Sequence, residues 1–243
     1  MKRLVLGMIA AFATLCGVQA QSTLAPGDVA IVGVSSDDPD EFGLLLLSDV
    51  LAGTELMFTD MGWSSSNSDF RRIEDSMTWM TPVNLPAGTL IIFHNDNTGT
   101  EASIGTITQG KMNGLSTGGD QILVFQGSTA NPTFLFAIQF NGTDWEADAT
   151  SSNTSALPPG LTSGTNAVAI PEKDNMIYQS DSIGTSAQLL AKICDPNNWT
   201  SNDVRTDFDV SENGRQGFLT INGTPAIRTY TSTYSIDFGQ VQT

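Results

Sequence analysis

Histidine occurs once in the 243 residues, at His94, and cysteine twice, at Cys16 and Cys194. Structural zinc sites need His and Cys ligands in number, and catalytic ones need several His or carboxylates around the ion. One His and one mature Cys build neither a structural zinc site nor a three-histidine catalytic one. Basic residues are also few, ten Lys and Arg against 26 Asp and Glu, for a formal net charge of −16. An anionic chain of this kind repels nucleic-acid phosphates and acidic headgroups, which excludes nucleic acid as a partner. Beyond the N-terminus there is no long apolar run, because Asp49 interrupts the one that begins at Phe42. A bilayer span needs about 20 apolar residues, so no membrane insertion is expected.

What is present starts with an export signal. In MKRLVLGMIAAFATLCGVQA, Lys2 and Arg3 supply charge, Leu4 to Leu15 a short apolar core, and Val18-Gln19-Ala20 a small-residue cleavage site. Residues 1–20 are read as a signal peptide and 21–243 as one domain, secreted or held at the cell surface. Cleavage removes Cys16, so Cys194 has no intrachain disulfide partner. It reads as a small buried hydrophobe on a short helix, with an intermolecular bridge or a reactive thiol as the alternative.

Short apolar segments separated by Gly, Pro, Asn and Asp predict strands at 28–34, 42–47, 55–60, 76–80, 89–94, 121–126, 133–140, 167–170, 217–221 and 226–238. Asn222-Gly223 between two such runs predicts a hairpin turn. One helix is expected, over 185–194: Thr185 or Ser186 caps it, Leu189, Leu190 and Ile193 share a face, and Asp195-Pro196 stops it. Residues 146–164, rich in Ser, Thr, Pro and Ala, read as a long surface excursion. The fold class is all-β, a single sandwich-like domain with one short helix.

Two familiar motifs match in letters and fail in context. Gly114-Leu115-Ser116-Thr117-Gly118 fits G-x-S-x-G, but a strand pattern follows where that motif needs a helix, and His94 lies upstream of the serine. Gly105 to Lys111 fits most of a phosphate-binding loop, yet Met112 stands where a hydroxyl must hold Mg²⁺.

Oxygen chemistry remains open. Ca²⁺ takes six to eight oxygen ligands, and DDPDEFGLLLL places Asp37, Asp38, Asp40 and Glu41 directly before an apolar run. The first reading of this cluster is a surface bend fixed by Asp and Pro ahead of a buried strand. The second is a calcium site, with Asp60 as helper from the next loop. Asn95/Asp96/Asn97 and Asp144/Glu146/Asp148 are further oxygen clusters. Of the four tryptophans, Trp79 reads as core, whereas Trp63 and Trp145 lie in loop-like stretches and are the candidates for a sugar-stacking or contact face.

The run from Gly27 to Trp63 resembles the opening of a β-rich module found in many secreted bacterial proteins. The likeness is carried by Gly27-Asp28, Asp38-Pro39-Asp40-Glu41-Phe42, Ala52-Gly53-Thr54 and Phe58-Thr59-Asp60-Met61-Gly62-Trp63. Later pieces, Phe70-Arg71, Thr78-Trp79 and STGGDQILVFQG, extend it over most of the chain. A departure lies at Arg72-Ile73-Glu74-Asp75, where the module has a Gly-rich turn. The module has no assigned function and occurs alone or beside extracellular nucleases and phosphatases, which implies an accessory or adhesive role.

The expectation is therefore a secreted, non-enzymatic acidic β-domain that binds an extracellular surface, matrix component or glycan. The alternatives are a calcium-dependent extracellular hydrolase, or accessory domain of one, that uses Asp and Glu alone, and an acidic matrix protein that binds divalent ions or mineral.

Overall fold

The computed structural model describes residues 20–96, 99–112, 114–180, 183–204, 220–221 and 224–225. Residues 1–19 of the expected signal at 1–20, residues 217–219 of the strand expected at 217–221, the strand expected at 226–238 and the turn at Asn222-Gly223 lie outside them. In chain order the elements are β1 Val29–Ser35, β2 Asp40–Leu46, β3 Glu55–Thr59, β4 Trp63–Ser64, β5 Asp69–Phe70, β6 Ser76–Met80, β7 Leu90–Asp96, β8 Gly99–Ala102 and β9 Thr106–Gly110. They continue with β10 Gln121–Ser128, β11 Asn131–Gln139, β12 Ala167–Ala169, β13 Asn175–Tyr178, β14 Ile183–Gly184, α1 Ser186–Ile193, β15 Trp199–Asn202, β16 Thr220–Ile221 and β17 Thr224–Pro225.

Two six-stranded sheets make up the sandwich, in the orders β15-β13-β1-β2-β7-β8 and β12-β11-β10-β3-β6-β9. Their facing sides meet at three aromatic rings. Phe42 and Phe93, cross-strand partners in the first sheet, stack at 4.6 Å, and Phe58 of the second sheet lies 4.8 Å from Phe93. Trp79 completes the group edge-on at 6.1 Å and donates its indole N–H to the Ile104 carbonyl at 2.7 Å. Gly105 follows beneath that ring: its φ is +90°, and a Cβ there would fall 2.2 Å from the indole nitrogen.

The second sheet is covered on its outer side as well. Leu123 and Phe125 of β10, Phe134 and Ala137 of β11 and Ala167 of β12 join Trp63, Phe70, Ala156 and Leu161 in a second apolar cluster. Alternation puts Ile122, Val124, Phe136 and Ile138 on the opposite side, in the main core. Residues 146–164 are thus a packed cover, not the surface excursion that their Ser and Thr content suggests. Gly62 lets the cover approach, since a Cβ there would stand 2.0 Å from the Thr154 carbonyl oxygen.

The helix forms as its sequence predicts. Thr185 and Gln188 make a reciprocal capping box, and Leu189 and Ile193, one turn apart, are buried. Cys194 caps its C-terminus inside the core. Among the described residues no helix is long and apolar enough to cross a membrane. Phe93→Ala removes the ring common to the interlocking aromatics and should destabilise the fold by about 3–5 kcal/mol, read from denaturant midpoints. A loss below about 1 kcal/mol would mean that the ring contacts are not what joins the sheets.

Candidate functional site

Strand ends deliver the acidic residues to one end of the sandwich. In the first sheet β1, β13 and β15 are neighbours, with Ser35, Asn175 and Asn202 in register. Asp37 follows the first of these strands, Asp174 precedes the second and Asp203 follows the third. One oxygen from each of Glu172, Asp174 and Asp203 lies within 4.8 Å of the others, in the exposed part of the molecule. Burial, then Asp37, Asp203 and Glu172, raises the Asp174 carboxyl above its usual range. Lys173 bonds Asp203 at 2.9 Å and lowers it.

The second sheet repeats the pattern with deeper burial. Adjacent strands β10, β3 and β6 end in Asp120, Asp60 and the Glu74-Asp75 pair. Asp60 and Asp120 are 0% and 1% exposed. Asp120 accepts from Ser116 N, Gln121 N and Gln121 Nε2, each at 2.9 Å. The same Gln121 amide donates to the carbonyls of Asp60 and Ser152. Burial pushes the Asp120 carboxyl up to about 8 against those donors, with Asp60 and Glu74 adding to the rise. Burial and the nearby Asp60 push Glu74 up to about 7, opposed by Arg71. Arg71 Nη1, Glu74 Oε2 and Gln121 Oε1 are buried without a hydrogen-bond partner among the described residues.

Consecutive amides tie the two corners together: Leu115 N donates to Asp40 Oδ2 at 2.8 Å, and Ser116 N to Asp120 Oδ2. The expected metal set therefore lies at one end of the molecule but divides among separate groups. Asp37 accepts from Asn175 Nδ2 at 2.8 Å. Asp38 forms the bend with Pro39 through a cis peptide bond. Asp40 holds the 114–120 loop. Glu41, buried, meets His94 Nδ1 at 3.0 Å, with Glu101 beyond His94 in register. Asp60 joins Glu74 and Asp120 instead.

Trp63 is not an exposed contact residue. It is 7% exposed and packs edge-on against Phe70 and Phe134 at 5.4 and 5.2 Å. Trp145 is half-buried against the same cluster, flanked by exposed Asp144 and Glu146. Its loop hangs from the acidic end, where Gln139 Nε2 donates to the Asp144 carbonyl.

The Ser116 hydroxyl and the Cys194 thiol are both engaged in the fold. The Ser116 hydroxyl accepts from Asn153 Nδ2 at 2.8 Å and Gly118 N at 3.1 Å. The Cys194 thiol is buried and pushed up to about 12 by that burial. Gly105–Lys111 is the edge strand β9 with its flanking residues, not a loop before a helix. Comparison with protein-family models, with curated proteins and with solved structures finds no match to this chain.

Protons held by Glu74 and Asp120 in the fold are released on unfolding, since the ordinary values are 4.5 and 3.8. The stabilisation is complete below those values and is lost as pH climbs through about 7 and 8. Melting temperature should fall from about pH 5 to about pH 8.5, and Glu74→Gln should flatten the lower part of that fall. An unchanged slope in the variant would show that Glu74 does not carry it.

Proposed function

We propose that the chain is a secreted, non-enzymatic β-domain that binds an extracellular surface, matrix component or glycan through the loops at the acidic end of its sandwich. One observation carries the reading. Carboxylates from the strand ends of both sheets gather at that end, while Ser116, His94 and Cys194 each serve the fold. A carboxylate display recognises basic groups directly, or sugar oxygens through a bridging divalent ion. Trp145, at the same end, offers an aromatic face for a sugar ring. The resemblance to a module that accompanies extracellular enzymes fits the same role.

The test is retention of the purified chain on immobilised polysaccharides and collagen, with product release assayed in parallel. Trp145→Ala is expected to weaken the retained interaction roughly tenfold, the loss of about 1.4 kcal/mol of contact. Turnover of any of these polymers that a single carboxylate substitution abolishes would defeat the proposal.

A second reading is favoured by the spacing of Glu172, Asp174 and Asp203. Their convergence suits a hard divalent cation that keeps several waters. The domain would then serve as a calcium-dependent accessory to a hydrolase, or as an acidic matrix protein. Millimolar Ca²⁺ should raise the melting temperature, because an ion that binds only the folded state stabilises it. Asp203→Asn should cancel the rise while costing little by itself, since its pair with Lys173 is exposed. No shift with Ca²⁺ removes this reading, and a shift that grows without saturation and fades with salt points to diffuse ion binding.

A further inference from the structure

The chain enters the sandwich at the end away from Asp60 and Asp120, beside the first residues of β3 and the last of β10. Ser22 is held there through its backbone and its hydroxyl. Its N–H donates to Thr54 Oγ1 at 2.8 Å, its hydroxyl accepts from Leu51 N at 2.9 Å, and its carbonyl accepts from Gln126 Nε2 at 3.0 Å. Leu24 follows into the main core, and its N–H donates to Gln126 Oε1 at 2.8 Å. The first residues of a domain are ordered only when they are tied down in this way. On the other side of Ser22, Ala20 and Gln21 are exposed, and the Gln21 carboxamide reaches back to donate to the Gly53 carbonyl.

This passage from exposed to anchored chain falls at the cleavage point expected for the leader, Ala20–Gln21. Removal of the leader there leaves one exposed residue ahead of the anchor. That residue is a glutamine, and it then carries a free α-amine. Its amine and its carboxamide belong to the same residue, so attack of one on the other needs no second molecule and has the entropic advantage of an intramolecular step. Exposure leaves the amine and the side chain free to meet. The anchors of Ser22 and Leu24 involve none of the reacting atoms, and the contact given up is the one to Gly53.

We propose that Gln21 is a modification site: once the leader is removed, it closes into an N-terminal pyroglutamyl residue. The α-nitrogen bonds to the residue's own Cδ, and the Cδ–Nε2 bond breaks. One proton of the amine passes to the departing nitrogen, which leaves as ammonia. The step consumes no oxidant, reductant or second substrate. Its product is a neutral lactam, so the terminus loses its positive charge, as in other terminal modifications. The inference rests on reading residues 1–20 as a leader, and it goes beyond the binding role without depending on it. With a lactam at residue 21 and a hydrogen-bonded backbone from Ser22 onward, the chain offers aminopeptidases no free amine.

The test is to export the full chain, leader included, from a bacterial host and to weigh its N-terminal peptide by mass spectrometry, on isolation and after days of storage. The peptide should begin at residue 21, and the fraction lighter by one ammonia should rise with time. The aged protein should resist an aminopeptidase. Gln21→Ala, at an exposed position where substitution leaves the fold in place, should begin at the same residue, lose no ammonia from that peptide and be trimmed by the aminopeptidase. A mature chain that begins elsewhere overturns the leader reading and the proposal with it. A chain that begins at Gln21 and keeps its full mass through storage overturns the ring closure alone. So does an ammonia loss from the N-terminal peptide of Gln21→Ala equal to that of the parent.

Discussion

In β2 every residue from Glu41 to Leu46 is buried, and β10 and β11 are buried on both faces over most of their length. Strands of this kind have no solvated face on which to carry charge. Desolvating an unpaired carboxylate along such a strand costs several kcal/mol, so acidic residues gather at or beyond the strand termini, and Glu41, buried at the start of β2, is paired with His94. Antiparallel neighbours bring their termini together. The chain's strongly acidic composition is thereby concentrated at the sandwich ends, and one end receives Asp37, Asp40, Asp60, Asp120, Asp174 and Asp203.

Concentrated charge must then be compensated, and the two corners do so differently. At the first-sheet corner the carboxylates are exposed, so water screens them and Lys173 pairs with Asp203. Asp174, the more enclosed member, is raised. At the second-sheet corner Asp60 and Asp120 are almost fully buried, and Arg71 offsets the rise of Glu74. Three N–H groups aimed at Asp120 favour its anion, yet burial outweighs them and the carboxyl rises to about 8. Depth of burial therefore separates the two corners: Asp203 is held ionised beside Lys173 in one, while Glu74 and Asp120 are pushed toward protonation in the other.

Much of the fold was legible because core strands announce themselves. The segments at 28–34, 42–47, 55–60, 76–80, 89–94, 121–126, 133–140 and 167–170 all became strands, and the helix stands within one residue of its predicted ends. Thr220–Ile221 pairs with Thr224–Pro225 on either side of the expected turn. In the two large sheets the strands not anticipated, GTEA, TITQG, NMIY and WTSN, are short, and all but NMIY are largely polar. GTEA, TITQG and WTSN are sheet edges and NMIY pairs with one, where an apolar run is not required. Residues 146–164 were misjudged for a related reason: Ala156 and Leu161 are enough to seal the outer cluster, and the Ser and Thr around them bond backbone. Trp63 was misjudged with them, since what buries it is the cover.

The site was only half legible, and the reason is topological. Asp60 was singled out from its own loop, but its companions Glu74 and Asp120 stand 14 and 60 residues away and meet it only because β10, β3 and β6 are adjacent. A signal did exist: a carboxylate immediately bounds the apolar segments ELMFTD, DQILVFQ and, two residues off, SMTWM. Sequence gives each terminus its acid and leaves open which termini are neighbours. The DDPDE bend shows the limit from the other side, because its four carboxylates are close in sequence and diverge in space. Asp40 and Glu41, consecutive on β2, point to opposite sides of the sheet, one bonding the 114–120 loop and the other His94. Proximity along an extended chain separates side chains by face, and it is the pairing of distant strands that assembles a site.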